Sequence, residues 1–341
     1  MDTDAWVIAK PSRGKYAADC LRWERRTVPQ LNAGEILLRT IYLSLDPTSR
    51  NWLKLEPSST YLPLGVSDVM IGQTVAMVED SAAEGFEKGD LVAGLSGWET
   101  YSVAPAERVR KVKSGMPLET NLTIFSHIGY AAATGMIGIG NVQPGDTVVV
   151  SAAAGATGSL AAQIAKARGA QVVGIAGGAE KCRRLIEEFG LDAAIDYKSE
   201  DVNEALTRHC PKGVDLFFDN VGGAVLDAVL MHLAQGARIA VCGQIALYDS
   251  ADLADGQGVR NLMQLVFRTA RMEGFLAGQP ADRMEEFDDE LERLHTQGKL
   301  IARAHVIKGL EQAPEALNLI FSGRNDGKLL IEVSSPHLRR S

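Results

Sequence analysis

The apolar and polar positions of this chain change their period along its length. From Trp6 to about Tyr101 they alternate in short runs broken by turn residues. Gly34-Glu35 precedes Ile36 to Leu43, Gly72 precedes Thr74 to Val78, and Lys88-Gly89-Asp90 precedes Leu91 to Leu95. Alternation with period two between turn signals predicts half-buried strands, here a barrel-like array. Residues 120 to 140 are helical at first and glycine-rich later, and Gln143-Pro144-Gly145-Asp146 predicts a turn into a different pattern. Thr147 to Val150 are unbroken by polar groups and mostly β-branched, as expected of a parallel strand covered on both faces. Leu160, Ala161, Ile164 and Ala165 then mark one helical face, Gly169 its end, and Gln171 to Ile175 a second strand. Further strands are expected at Ala193 to Tyr197, Asp215 to Asp219 and Ala237 to Val241, alternating with helices such as Lys181 to Phe189 and Ala224 to Ala234. The alternation predicts an α/β fold with a doubly wound parallel sheet. Asp282 to Gln297 carries Met284, Phe287, Leu291 and Leu294 at helical spacing and predicts an exposed amphipathic helix. His305 to Leu310 and Leu329 to Val333 predict short strands around a helix from Pro314 to Phe321, returning the chain to its first domain.

Between the first parallel strand and its helix the chain has almost no bulk: Ala152, Ala153, Ala154, Gly155, Ala156, Thr157 and Gly158. A turn of this kind lets backbone N–H groups and the positive end of a helix come close to a pyrophosphate. Ala153, Gly155 and Gly158 read as A-x-G-x-x-G, a dinucleotide fingerprint with alanine in the first glycine position. No charge occurs from Thr147 to Ala165, yet the glycines, Ser151, Thr157, Ser159 and Gln163 make the segment a poor membrane span. The second strand ends in Gly177-Gly178, where an acid would mark NAD, and Lys181 follows in reach of a 2′-phosphate. That pattern favours NADP(H), although Glu180 lies beside the lysine.

With 341 residues the chain has room for two domains, and its formal net charge of −8 argues against a general nucleic-acid binder. Cys20, Cys182, Cys210 and Cys242 are scattered with neither C-x-x-C nor metal spacing, which fits thiols in a reducing cytoplasm. The N-terminal MDTDAWVIAKPSRG lacks the basic start and apolar run of an export signal, and no internal repeat is evident. A whole domain precedes the fingerprint, and no Tyr-x-x-x-Lys pair of the short-chain dehydrogenase kind follows it.

Eight segments in this order and spacing make the chain resemble the zinc-independent medium-chain dehydrogenase/reductase superfamily. They are SLDPTSR (Ser44 to Arg50), PGDTVVVSAAAGATGS (Pro144 to Ser159), GGAEK (Gly177 to Lys181), DYK (Asp196 to Lys198), FDNVGG (Phe218 to Gly223), VCGQIALY (Val241 to Tyr248), RMEGF (Arg271 to Phe275) and NDGK (Asn325 to Lys328). The branch is that of leukotriene B4 dehydrogenases, prostaglandin reductases and alkenal double-bond reductases. The resemblance implies a Rossmann domain over residues 124–305 and a GroES-like barrel domain over residues 1–123 and 306–341, with the active site between them. It implies that Gly155, Ala156, Thr157 and Gly158 cradle the pyrophosphate, and that Gly177, Lys181 and Tyr197 hold the adenosine 2′-phosphate end. Asn220, Cys242, Gly243, Tyr248, Phe275, Ala277 and Asn325 would line the rest of NADP(H). On the residues alone, Tyr197 is a strand-end aromatic and Asn220 a turn-capping amide; only the resemblance assigns them to cofactor.

Branch members of this kind reduce the C=C bond of α,β-unsaturated ketones or aldehydes by hydride transfer to the β-carbon. The resemblance makes Tyr248 the catalytic candidate, as hydroxyl donor to the enolate oxygen or as proton relay to the α-carbon. Tyr61 and Phe267 become substrate-binding candidates. The chain departs from many relatives at Phe267 and Met136, where they carry tyrosine, which bears on substrate preference. The cysteine and Gly-His-Glu ligands of the zinc-dependent cousins are missing, and the histidines form no close pair, so no metal is expected. The resemblance also suggests a homodimer joined near Arg271 to Ala277, with no nucleic-acid or membrane partner. A quinone reductase of the same superfamily is the main alternative, and a non-catalytic NADPH-binding redox sensor a more distant one.

Overall fold

The computed structural model describes residues 1–12, 15–54, 64–248, 258–279 and 281–335. The chain falls into two compact units, one of residues 1–122 with 304–341 and one of residues 123–303.

The period-two stretch forms strands β1 (Asp2–Ile8), β2 (Leu21–Thr27), β3 (Glu35–Ser44), β4 (Ile71–Ser81), β5 (Leu91–Gly97), β6 (Tyr101–Pro105) and β7 (Val109–Lys111). The chain then enters the second unit, with β8 (Thr147–Ser151), β9 (Gln171–Ala176), β10 (Ala193–Asp196), β11 (Val214–Asp219), β12 (Leu233–Val241) and β13 (Arg271–Gly274). It returns to the first unit with β14 (Ala304–Lys308), the helix Ala313–Phe321 and β15 (Lys328–Glu332).

In the first unit a seven-stranded sheet runs β14-β15-β3-β4-β5-β7, with β6 also on β3, and β1 and β2 pair as a separate hairpin. Ile36 and Leu38 of β3 are buried with Ala76 and Val78 of β4, while Ile41 and Tyr42 join Val75, Met77 and Leu330 in a second cluster. The alternation read from the sequence is therefore a division of side chains between two apolar faces. Lys328 opens β15 with its ammonium buried, donating to Leu45 O at 2.8 Å and Asp46 Oδ1 at 2.5 Å. Burial lowers its pKa, and the Asp46 carboxylate opposes the shift.

In the second unit six parallel strands run β10-β9-β8-β11-β12-β13, so strand order reverses between β8 and β11. Leu216, Phe217 and Phe218 of β11 are all fully buried, the signature of a strand covered on both faces. Each such phenylalanine contributes about 1.5–3 kcal/mol of burial. The helices Ala156–Ala167, Ala179–Glu187, Val202–His209 and Gly223–Leu230 connect the strands.

Local readings shift where pairing intervenes. The expected helix Ala224 to Ala234 stops at Leu230, and β12 begins at Leu233 rather than Ala237. Val214 donates to His232 O at 2.8 Å and Leu233 pairs with Val214, so the ladder captures this end from the helix. Residues 120–140 form a short 3₁₀ turn, the helix His127–Ala133 and a π-helical segment Thr134–Ile139. Leu310 lies in a 3₁₀ turn beyond β14 instead of in a strand.

Candidate functional site

The strand-order reversal leaves the carboxyl ends of β8 and β11 side by side, where an open α/β sheet forms its ligand crevice. The turn after β8 leads into the helix Ala156–Ala167, with Gly155 as its first flanking residue and no side chain capping it. A Cβ on Gly158 would press on Ala152 O and lie 2.9 Å from Ala152 C. Ala152 itself takes φ +48°, so the turn is already held in a conformation that side chains rarely adopt. A tight turn, small residues and an uncapped twelve-residue helix fit a pyrophosphate.

After β9, Gly177 lies under the ring of Tyr197, since a Cβ there would be 2.8 Å from Tyr197 Cε1, Cζ and Oη. Tyr197 remains 51 % exposed, leaving ring surface for a further stacking partner. Gly178 takes φ +102° and donates to Asp196 Oδ1 at 2.7 Å, and the same oxygen accepts from Lys198 N at 3.1 Å. These two N–H groups, led by that of Gly178, hold the Asp196 carboxyl below its ordinary pKa. Lys181 stands in the first turn of the helix Ala179–Glu187, beside this arrangement in sequence.

The ends of β11 and β12 carry the next group. Asn220 donates through Nδ2 to Ser151 O at 2.7 Å and through its backbone to Ser151 Oγ at 2.8 Å. Cys242 and Gly243 donate backbone N–H groups to Asp219 O at 2.8 and 3.1 Å. Burial first, and the Asp219 charge second, push the Cys242 thiol up to about 12, so it is a protonated packing group. Tyr248 closes the short helix Ile245–Tyr248, with its hydroxyl over Gly243, where a Cβ would lie 3.2 Å from Oη. Phe275 packs edge-on against Phe218 at 6.2 Å between centroids. Gly135 fits between those rings, where a Cβ would lie 2.8 Å from Phe218 Cδ2 and 3.1 Å from Phe275 Cζ.

Two family models match the chain, one described as the N-terminal domain of oxidoreductase over residues 4–112 and one as zinc-binding dehydrogenase over residues 156–295. The NADPH-dependent curcumin reductase of Escherichia coli (strain K12) is 36% identical over 96% of this chain and 96% of its own length. The NADP(+)-dependent 2-alkenal reductase of Nicotiana tabacum is 40% identical over 90% of this chain and 89% of its own. CurA from Vibrio vulnificus, solved in complex with NADPH, superposes with a TM-score of 0.90 at 36% identity, covering 98% of this chain and 100% of that one. The chain belongs to the zinc-independent double-bond reductase branch of the medium-chain dehydrogenase/reductase superfamily. Despite the wording of the second family model, among the described residues of this branch member no group of three or more His, Cys, Asp or Glu is placed to hold a metal ion. Among the described residues, too, no helix is long and apolar enough to cross a membrane.

Within this branch member, Gly155, Ala156, Thr157 and Gly158 form one group; Gly177, Lys181 and Tyr197 another; and Asn220, Cys242, Gly243 and Tyr248 a third. Phe275 joins the core beside the third group through Phe218, and Ala277 is exposed in the turn that follows. Asn325 belongs to the other unit, where its Nδ2 donates to Gly327 O at 2.8 Å just before β15. Phe267 is not brought to these groups. It is 64 % exposed on the helix Met263–Phe267, and Gly236, early in β12, donates to the adjoining Arg268 O. That is the opposite end of β12 from Cys242. Met136 is fully buried, facing core. Tyr61 lies outside the described residues.

Sequence reasoning missed Asp219 and Ser151, the buried pair beneath the third group. Asp219 Oδ1 accepts from Ser151 Oγ and Val221 N, both at 2.9 Å, and from Gly222 N at 3.0 Å. The available signal was the acid before Asn220, directly after the apolar run Leu216 to Phe218, where a buried carboxylate demands partners.

Proposed function

We propose that the chain is an NADPH-dependent reductase that saturates the C=C bond of α,β-unsaturated ketones or aldehydes. The observation that carries this reading is the placement of the Tyr248 hydroxyl over Gly243, beside Asn220 and beyond the uncapped turn at Gly155 to Gly158. The curcumin and 2-alkenal reductases, similar along nearly their whole lengths, support the same substrate class.

NADP(H) is the cofactor, and its reduced nicotinamide supplies a hydride to the substrate β-carbon when bound. Gly155, Ala156, Thr157 and Gly158 hold its pyrophosphate against the helix dipole. Gly177 and Tyr197 receive the adenosine end, with Lys181 giving charge to the 2′-phosphate, and Asn220, Cys242, Gly243, Phe275 and Ala277 line the remainder. As the β-carbon is reduced, negative charge grows on the carbonyl oxygen, and a hydrogen-bond donor there lowers the barrier. Tyr248 is that donor, and its hydroxyl can pass a proton to the α-carbon and regain one from solvent.

The reading includes a homodimer. β13 is an edge strand whose outer side has no partner among the described residues. Beside it Met263, Val266, Phe267 and Leu276 are exposed, a grouping of apolar side chains that a second copy would cover. We place the protein in the cytoplasm, where Cys20, Cys182, Cys210 and Cys242 keep the unpaired state they have in the structure.

The test uses NADPH carrying deuterium at its transferable position and a simple enone, with the product analysed by NMR. Deuterium at the β-carbon of a saturated ketone is expected. Deuterium at the carbonyl carbon, giving an allylic alcohol, would replace this function with that of a carbonyl reductase.

A further inference from the structure

The clamp on the Gly177-Gly178 bend is an acid. Asp196 closes β10, the edge strand at one end of the parallel sheet, level with Ala176 at the end of β9. Tyr197 N bonds to Ala176 O at 3.1 Å, so the two strands end together. Beyond that point the side chains divide. The Tyr197 ring lies over Gly177, and the Asp196 carboxylate turns to Gly178, the residue that flanks the helix Ala179–Glu187. Gly178, at φ +102°, has no side chain with which to cap that helix, so Asp196 accepts one of its N-terminal N–H groups from the neighbouring strand. Oδ1 takes both Gly178 N and Lys198 N, and the Ser199 hydroxyl adds a further bond. All three are donors, the Gly178 N–H first among them, so the carboxyl is held in its charged form.

That charge bears on which cofactor the bend accepts. In a sheet of this kind an acid at the end of the second strand accepts from the ribose 2′-hydroxyl of NAD. Here the second strand, β9, runs into Gly177-Gly178, and the acid stands one strand further out, hydrogen-bonded to the same bend. Two more acids accompany it: Glu200 Oε1 accepts from Asp196 N at 3.0 Å, and Glu180 stands in the first turn of the helix. A phosphate bonded to that first turn lies about 8 Å from the carboxylate, one helical turn and one hydrogen bond away. This is inside the screening length of about 10 Å at 0.1 M salt. We infer that Asp196 is a specificity-determining residue whose charge opposes the 2′-phosphate of NADPH and leaves NADH unopposed, so that the preference between the two cofactors is narrower than Lys181 alone would set. This rests on the NADPH reading given above.

The Asp196→Asn change isolates the charge. Its Oδ1 can still accept from Gly178 N and Lys198 N, and its Nδ2 meets the Ser199 hydroxyl, which has lone pairs with which to accept. The clamp on the bend is kept while one negative charge is removed.

The experiment measures the affinity of the full chain for NADPH and NADH by fluorescence, and for 2′,5′-ADP and 5′-AMP by calorimetry, at 0.1 M and 1 M salt. At 0.1 M salt Asp196→Asn is expected to bind NADPH and 2′,5′-ADP about three- to tenfold more tightly than wild type, with NADH and 5′-AMP within about twofold. At 1 M salt, where the screening length is about 3 Å, most of that gain should vanish. If Asp196 is only a clamp, the variant leaves both affinity ratios at their wild-type values, and that result overturns the inference while the NADPH reading stands. A gain of the same size at 1 M salt, or an equal gain for NADH, is steric and overturns it as well. Should Asp196→Asn not fold, Asp196→Ser, neutral and still able to accept an N–H, carries the same test. Wild type that binds neither NADPH nor 2′,5′-ADP overturns that reading and this inference with it.

Discussion

Replacing Gly158 with alanine tests the phosphate turn at its tightest point. The new methyl would press on Ala152 O and lie 2.9 Å from Ala152 C and 3.0 Å from Ala153 Cα. All three are backbone atoms, so no flexible side chain can swing away. Restoring ordinary contact near 3.5 Å requires about 0.5–1.2 Å of movement between the turn and the helix. The turn cannot yield cheaply, because Ala152 already sits at φ +48° and Ala153 N is bonded to Ile175 O at 3.0 Å. Over-packing of this kind costs about 1–3 kcal/mol. In a unit of this length each kcal/mol lowers the melting temperature by about 2–4 °C, giving an expected fall of about 2–12 °C. The same displacement moves the first-turn N–H groups away from the pyrophosphate, and a loss of about 1.4 kcal/mol there weakens NADPH binding tenfold. Gly155→Ala is the control, since its methyl meets only Ala152 O, at 3.1 Å, and φ is −79°. Thermal melts followed by circular dichroism and NADPH titrations by fluorescence read both effects. Gly158→Ala with wild-type melting and wild-type affinity would refute the steric argument and with it the role of the turn.

Gly177→Ala meets the Tyr197 ring first, and that ring is exposed and can rotate away; its melting temperature should stay within about 2 °C of wild type while NADPH affinity falls about tenfold, and unchanged affinity in a titration would remove Tyr197 from the site. Burial pushes Glu99 up to about 7, with Arg26 opposing. Because the folded value exceeds the unfolded value near 4.5, the native state holds the extra proton between them. The contribution of Glu99 to stability is thus full below about pH 4.5 and lost as pH rises through about 7. Glu99→Gln should gain about 1–3 kcal/mol over wild type between pH 5 and pH 8 in urea unfolding, and parallel pH profiles would contradict this. Tyr248→Phe should lower kcat about 10²-fold with NADPH affinity within about twofold, and undiminished turnover would dismiss the hydroxyl as donor.

What could be read in the sequence was what local sterics dictate. The small residues from Ala152 to Gly158 mark a tight turn between a buried strand and a helix, so the turn, its helix and its strands were legible together. The barrel strands were equally legible, because period two maps directly onto two faces. Met231 to Ala234 were misread as helix because their partner in β11 lies well earlier in the chain, and no local preference reports that pairing. Ser151 and Asp219 are 68 residues apart and meet only when β8 and β11 become neighbours, so the acid before Asn220 could signal a buried carboxylate but not its partner. Phe267 was assigned by resemblance alone, because no local pattern reports that it is exposed beside the early part of β12.

The central claim is tested most directly by steady-state loss of nicotinamide absorbance with the purified protein, NADPH or NADH, and a short panel of alkenals, alkenones and quinones, with products identified. Saturation of the enone double bond with NADPH strongly preferred over NADH is the predicted result. Turnover confined to quinones, or NADPH binding with no turnover on any member of the panel, would contradict it.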